Sequence, residues 1–525
     1  MTRSELNWVL VASLLVLLFA SLPILYAFTL ADTDHVFIGF VYNTEDSNSY
    51  VAKMRLGAEG EWLFHLFYTA EEHEPALVYP LYLLLGKLAA ATGISLVVTY
   101  HLARVAFGLF LLFTIYAFVA RFTDDVTERR LAWALAAIGS GLGWLMLLLG
   151  LTNWLGALPL DFWVPEAYVF LVLYSLPHLA LAEALLLWTL LWTLQSIEGE
   201  RLAPAIWAGL AGLGMATIVP FYAGVLAAAL GAYLAALSLR ERRIAWHGIK
   251  QTAVVGAFVA PAIVYNVWTF TTVPALHTWA AQNSIPSPHP AHYLLGYLPL
   301  ILPAVPGAIQ AVRQREPRWL LPVAWVLVVP FLLYIPFNLQ RRLIAGAQVP
   351  LALLASLGLV AWFKPRARTW RLDLVAWVAL AALSNVLLVA GSLIQVTDRE
   401  PPIFRPAAEI AAMDWLVEHA AEDDLVLCAH QSGNLIPTRA KVRVFMGHGP
   451  ETLYREEKEE AVRQFFDPTT EDAYRQGLID RYDIDWVFYG PSEQSFGSWD
   501  PSSAIFLEPA FRAPPYEIHR VRGEP

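Results

Sequence analysis

The chain has 525 residues, 57% of them hydrophobic and only 15% charged, where soluble domains carry about a quarter charged residues. An ordinary soluble protein is excluded and an integral membrane protein is implied. The net charge of -10 is unevenly placed, with 13 Lys and Arg against 24 Asp and Glu in residues 396–525 and 22 against 21 in residues 1–395, so nothing points to a nucleic-acid partner.

The run 8–30 is long enough to cross a bilayer, which takes about 20 apolar residues, and it reads as an uncleaved first span rather than a signal peptide. Behind it comes a polar segment, 31–75, in which nine carboxylates stand against only Lys53 and Arg55. It reads as the first water-exposed loop. Within it Tyr42-Asn43-Thr44-Glu45-Asp46-Ser47 places two acids side by side, expected in an extended or turn conformation with Asn43, Ser47 and Asn48 near enough to hold Asp46 by local hydrogen bonds. The stretch 77–91 is apolar but short, follows Tyr79-Pro80 and contains Lys87, which predicts a helix lying at the membrane surface.

Further spans are expected at 96–120, 131–150, 178–196, 204–219, 221–239, 251–273, 292–312, 319–336, 343–363 and 373–395, about eleven with the first. Sixteen Lys and Arg fall in the loops on the side of the N-terminus, from Arg3 through Arg121, Arg201, Arg240 and Arg313 to Arg371, against five on the other side (Lys53, Arg55, Lys87, Arg341 and Arg342). This asymmetry places the N-terminus in the cytoplasm of a multi-pass plasma-membrane protein, and an odd number of spans exports the tail. The expected organisation is a membrane domain, 1–395, with its acidic outer loop 31–75, and an exported domain, 396–525.

In the tail, 406–421, 452–466 and 471–482 read as helices and 425–429, 442–446 and 486–489 as strands, with a terminal strand at 514–521. This alternation suggests a small parallel α/β domain. The lone Cys428 rules out an intramolecular disulfide. His430-Gln431-Ser432-Gly433-Asn434 and Gly447-His448-Gly449-Pro450-Glu451-Thr452 each follow an expected strand, where open α/β sheets often bind ligands. A docking or stabilising role is expected of this tail rather than a second active site.

Ionisable side chains in or beside spans are costly and mark cavities or partners. His101 and Arg104 share a helix face; His178 and Glu183 lie near the outer end of a later span, with Asp161 and Glu166 in the loop before it; Arg341 and Arg342 occupy an outer mouth. Structural roles stay open for each: Arg104 paired with Glu183, Arg341 and Arg342 snorkelling to lipid headgroups, His178 satisfied at a helix start. Gly139-Ser140-Gly141-Leu142-Gly143 falls inside an expected span and suits close helix packing. Phosphate-binding loops, nucleophile elbows and zinc motifs are absent from the sequence.

With these features the chain resembles the GT-C superfamily of membrane glycosyltransferases, the class of protein O-mannosyltransferases, oligosaccharyltransferase catalytic subunits and lipid A aminoarabinose transferases. The resemblance rests on the cytoplasmic N-terminus, the long outer loop with Glu45-Asp46, the surface helix with Tyr79-Pro80-Leu81, the Arg104-bearing span and the exported α/β tail. It implies a polytopic α-helical fold and transfer of a sugar from a polyprenyl-phosphate donor, on the exported side and with inversion. Asp46, with Glu45 as alternative, is then the general base. Arg341 and Arg342, supported by Arg104, receive the departing phosphate, and His178 lines the substrate site. Glu166 or Asp161 holds sugar hydroxyls or, with Asp46, a divalent cation. The acids form no Asp-x-Asp, so metal and base both stay open, as do the acceptor and the sugar. A transporter or flippase for a lipid-linked or anionic substrate is the alternative, and a non-catalytic scaffold a third class.

Overall fold

In the computed structural model, which describes residues 2–366 and 368–522, the apolar runs form helices. Among the described residues seven are long and apolar enough to cross a membrane: Arg3–Leu30, Leu96–Ala120, Pro177–Gly199, Tyr222–Glu241, Trp246–Thr272, Pro290–Arg313 and Gln340–Phe363. Trp370–Ala381 and Leu383–Thr397 make an eighth if taken together across a 47° bend. Three other expected spans are shorter as helices. The run 131–150 breaks at Gly139 into Val126–Ile138 and Gly143–Leu148, Leu202–Ile218 has 17 residues, and Leu320–Leu332 has 13. At 1.5 Å per residue each falls short of a bilayer core about 30 Å thick.

The chain divides into two compact units. The first holds residues 1–22, 101–268 and 284–393, and the second holds 23–100, 269–283 and 394–525.

In the first unit the Gly139–Gly143 break is capped by Asp161. Its Oδ2 accepts the N–H groups of Gly141 (3.0 Å) and Gly143 (3.1 Å) and the Ser384 hydroxyl (2.6 Å). The glycine-rich segment therefore interrupts a helix where an unbroken one was expected, because its freed backbone donors have a buried carboxylate to bind.

The second unit contains a five-stranded sheet in the order Arg443–Val444, Leu425–Leu427, Trp486–Tyr489, Tyr516–Val521 and Leu507–Ala513. The first three strands run parallel and the last two antiparallel, so the sheet is mixed. Leu507–Ala513 is the strand absent from the sequence reading. It is a largely exposed edge strand with an irregular register at Pro509, and proline on an edge weakens the strand signal. His430–Arg439 is a helix, unexpected in a segment that contains Gly433 and Pro437.

The acidic loop is built into this unit. His35–Phe37 pairs antiparallel with Phe404–Pro406, and one core gathers Leu56, Phe64, Phe67 and Leu83 with Met413, Leu435, Val444 and Phe488. The helices Thr44–Ala58 and Pro80–Thr92 pack backbone to backbone. A Cβ on Gly57 would stand 2.1 Å from the Leu83 carbonyl oxygen, and one on Gly86 1.8 Å from that of Met54, so only glycine allows the approach.

Candidate active site

Glu45 and Asp46 lie in the first turn of the helix Thr44–Ala58, not in an extended segment. Asn43 leads into the helix with φ 51°, a left-handed conformation that asparagine tolerates, and its Nδ2 donates to Asp46 Oδ2 at 2.8 Å. Of the three neighbours expected to hold Asp46, Asn43 does so, while Asn48 turns to Asn434 Oδ1 at 2.8 Å. Neighbouring residues on a helix point about 100° apart, so the two carboxylates meet different partners. Glu45 Oε1 accepts the Gly449 N–H at 2.6 Å and lies 3.4 Å from His430 Nε2. Asp46 Oδ1 lies 3.0 Å from His448 Nε2.

The tail segments that follow the strands thus form the opposite wall. The turn at Gly447 fits there because its backbone runs against Gly433, where a Cβ would stand 2.4 Å from the Gly433 carbonyl carbon. Beneath the acids sits a buried ion pair, Lys53 Nζ to Glu451 Oε1 at 2.7 Å. Burial pushes Lys53 below its ordinary range, against the pull of Glu451 and Asp46. Burial also opposes charge on His448, but Glu451 and Asp46 outweigh it and hold the imidazole above its usual value. For Glu45, burial raises the carboxyl, and the His430 hydrogen bond, the His448 charge and the Gly449 N–H together bring it below the usual range. A helix N-terminus adds to the preference for ionised acids. The site offers two carboxylates that are partly exposed, 45% and 39%, on a buried polar floor. Among the described residues no three His, Cys, Asp or Glu side chains gather as a metal-binding set.

In the first unit the remaining candidates fall into separate settings. Arg104 is buried, donating to the Leu173 carbonyl and the Ser21 hydroxyl, both at 2.7 Å. Glu166, also buried, meets Arg342 Nε at 3.1 Å. Arg341 lies over the Trp163 ring at 4.1 Å, and Arg342 over Phe221 at 5.6 Å; both belong to the short turn Gln340–Ile344. His178 is half-buried in the first turn of Pro177–Gly199. Asp161 caps backbone, as described above.

No family model matches the chain, and no curated protein matches its sequence. Its fold is similar to that of solved structures. ArnT from Cupriavidus metallidurans, bound to undecaprenyl phosphate, superposes with a TM-score of 0.55 at 12% identity, over 97% of this chain and 98% of ArnT. The archaeal oligosaccharyltransferase AglB from Archaeoglobus fulgidus, in complex with an inhibitory peptide and a dolichol-phosphate, gives 0.53 at 12% identity, over 93% of this chain and 70% of AglB. The arabinofuranosyltransferase AftD from Mycobacteria gives 0.57 at 13% identity, over all of this chain and 40% of AftD. The chain has the GT-C fold. At 12–13% identity the likeness concerns the fold alone.

The side chains that the sequence reading left out of the acidic site are His448, His430, Glu451 and Asn434. All four stand in the segments 430–434 and 447–452, which follow strands, where ligands often bind open α/β sheets. Asn434 Nδ2 donates to the Glu45 carbonyl at 3.2 Å and its carbonyl accepts from Tyr68 at 3.2 Å. The signal that could have found them was the position of polar residues at strand ends; what it lacked was the partner, some 400 residues earlier in the chain.

Proposed function

We propose that the protein is a glycosyltransferase that moves a sugar from a polyprenyl-phosphate-linked donor to an acceptor on the outer face of the membrane, with inversion at the anomeric carbon. The observation that carries this reading is a partly exposed Asp46 carboxylate held by Asn43 and His448 in a chain with the GT-C fold. An acceptor hydroxyl or amide needs a carboxylate within hydrogen-bond reach to take or orient its proton. Asp46 fills that role, and Glu45, committed to Gly449 and His430, supports it.

The donor side follows from the same chemistry. ArnT binds undecaprenyl phosphate and AglB a dolichol-phosphate, and a leaving phosphate needs cations where its charge develops. Arg341 and Arg342 supply them in this reading, with Arg104 in support; Glu166 orients Arg342, and His178 and Asp161 are assigned to substrate binding. In this reading residues 1–395 form the membrane part, the N-terminus is cytoplasmic, and residues 396–525 stand outside with the acidic loop.

Mass spectrometry of envelope glycans and glycolipids tests the proposal. Cells lacking the protein and cells carrying only Asp46→Asn should lose the same sugar-bearing product and accumulate the polyprenyl-phosphate sugar. An unchanged product in the Asp46→Asn cells overturns it.

A further inference from the structure

The imidazole beside Asp46 is more firmly held than the carboxylate it touches. His448 is 4% exposed. Its Nε2 lies 3.0 Å from Asp46 Oδ1 and its Nδ1 receives the Glu451 N–H at 3.3 Å, so a neutral ring with its proton on Nε2 satisfies both nitrogens. The turn that carries it is tied down on three sides. Thr452 Oγ1 accepts the N–H groups of Gly447 and His448, each at 3.2 Å. Gln282 Nε2 donates to the carbonyls of Pro450 (2.9 Å) and Thr452 (2.7 Å). Glu451 is anchored by Lys53, which also donates to Ser49 Oγ at 2.9 Å and stands 4.5 Å from the centre of the Tyr79 ring. The Tyr68 ring lies 5.5 Å from the imidazole.

We propose that His448 is the positioning residue of Asp46, aiming one N–H at Oδ1 so that, with Asn43 on Oδ2, the carboxylate presents a single orientation to the acceptor. This rests on the reading of Asp46 as the base. An imidazole suits the task because Nε2 carries a proton in the Nε2–H tautomer and in the cation alike, so the hydrogen bond to Oδ1 persists although Glu451 and Asp46 favour the charged ring. The consequence is that the C-terminal segment, which carries His448, completes the site of the first loop.

The test uses the full-length protein in nanodiscs with the polyprenyl-phosphate-sugar fraction and acceptors extracted from its own host's membranes. Glutamine keeps a donor near the Nε2 position and asparagine near the Nδ1 position. His448→Asn should therefore lower kcat about 10- to 100-fold, the loss of one hydrogen bond to a charged group, with the donor KM unchanged, while His448→Gln recovers most of the loss. Equal activity of the two variants overturns the proposal. Nitrogen-15 NMR of histidine side chains reads the unmutated ring directly, with the His448 resonance assigned by its absence in His448→Gln. A ring protonated on Nε2, neutral or cationic, whose Nε2 resonance shifts in Asp46→Ala supports the proposal, and a ring protonated on Nδ1 alone overturns it. Wild-type turnover in Asp46→Asn overturns the base reading instead; a dead Asp46→Asn beside a normal His448→Asn overturns only the positioning role.

Discussion

Asp46 combines three features of a working base: partial exposure, a place in the first turn of a helix where the backbone dipole favours negative charge, and a neutral amide on one oxygen, Asn43 Nδ2 at 2.8 Å. Asp46→Asn keeps the shape and removes the charge, so turnover should fall about 100- to 10,000-fold while folding and donor binding are retained; purified Asp46→Asn with wild-type turnover would end the assignment. Glu45→Gln should be milder, because Glu45 Oε1 is engaged by the Gly449 N–H at 2.6 Å and serves first to hold the tail turn. For the two arginines the settings differ, Arg342 on buried Glu166 and Arg341 on the face of Trp163. If both receive phosphate, the double Gln variant should weaken donor binding about tenfold or more, measured by titration with polyprenyl phosphate; unchanged affinity would reassign them to lipid anchoring. At this scale the sequence was legible where chemistry is local. Adjacent acids past a first span can be seen in a row of letters, and so can an arginine pair at a loop. His448 could not be paired with Asp46, since 402 positions separate them and no periodicity connects a first-loop helix to a turn after a strand.

Elements show the same division. Helical runs and the strands 425–427, 443–444 and 486–489 follow from apolar patterning, which depends on near neighbours. The helix His430–Arg439 and the edge strand Leu507–Ala513 do not, because tertiary contacts override poor propensity there. One such contact is the carboxylate of Glu493, which accepts the Ala429 N–H at 2.8 Å just before that helix and the Gly490 N–H at 2.9 Å. Burial raises its pKa from 4.5 to about 7, against the hydrogen bonds from Ala429 and Ser432. A raised acid favours the folded state while protonated, so this contribution is complete below the unfolded value near 4.5 and is lost as pH rises to about 7. Thermal unfolding of the full chain in detergent should show stability falling over that window, and Glu493→Gln, although it sets an amide against one backbone N–H, should flatten the slope; an unaltered slope refutes the linkage. The packing of Thr44–Ala58 on Pro80–Thr92 gives a second test. Gly86→Ala would drive a Cβ to 1.8 Å from the Met54 carbonyl oxygen, so it should destabilise by about 1–3 kcal/mol and shift the acids with their helix. Gly231→Ala is the control, since nothing lies within 4 Å of its added Cβ and alanine is the better helix former. Equal melting of the two variants would mean that the helix pair is not packed this closely.

For the molecule as a whole the open quantity is orientation, which decides whether the acidic loop and the tail can meet an acceptor outside the cell. Helix lengths do not settle it, because seven long helices, one bent pair and several shorter apolar helices admit more than one count of crossings. Charge does bear on it. Sixteen Lys and Arg on one set of expected loops against five on the other is the bias from which the positive-inside rule gives the proposed cytoplasmic N-terminus, and the proposed export of the tail requires an odd number of crossings. The chain is well suited to a direct check, for its single cysteine, Cys428, is buried and its thiol pushed far up by burial, leaving little thiolate to react. A cysteine placed at exposed Glu456 in the tail, or at exposed Arg242 between Tyr222–Glu241 and Trp246–Thr272, should then react above a negligible background. A membrane-impermeant maleimide applied to intact cells should label Glu456→Cys and spare Arg242→Cys until the membrane is opened. Labelling of Arg242→Cys alone would invert the protein, place Asp46 and His448 in the cytoplasm, and remove the outer-face acceptor from the proposed reaction.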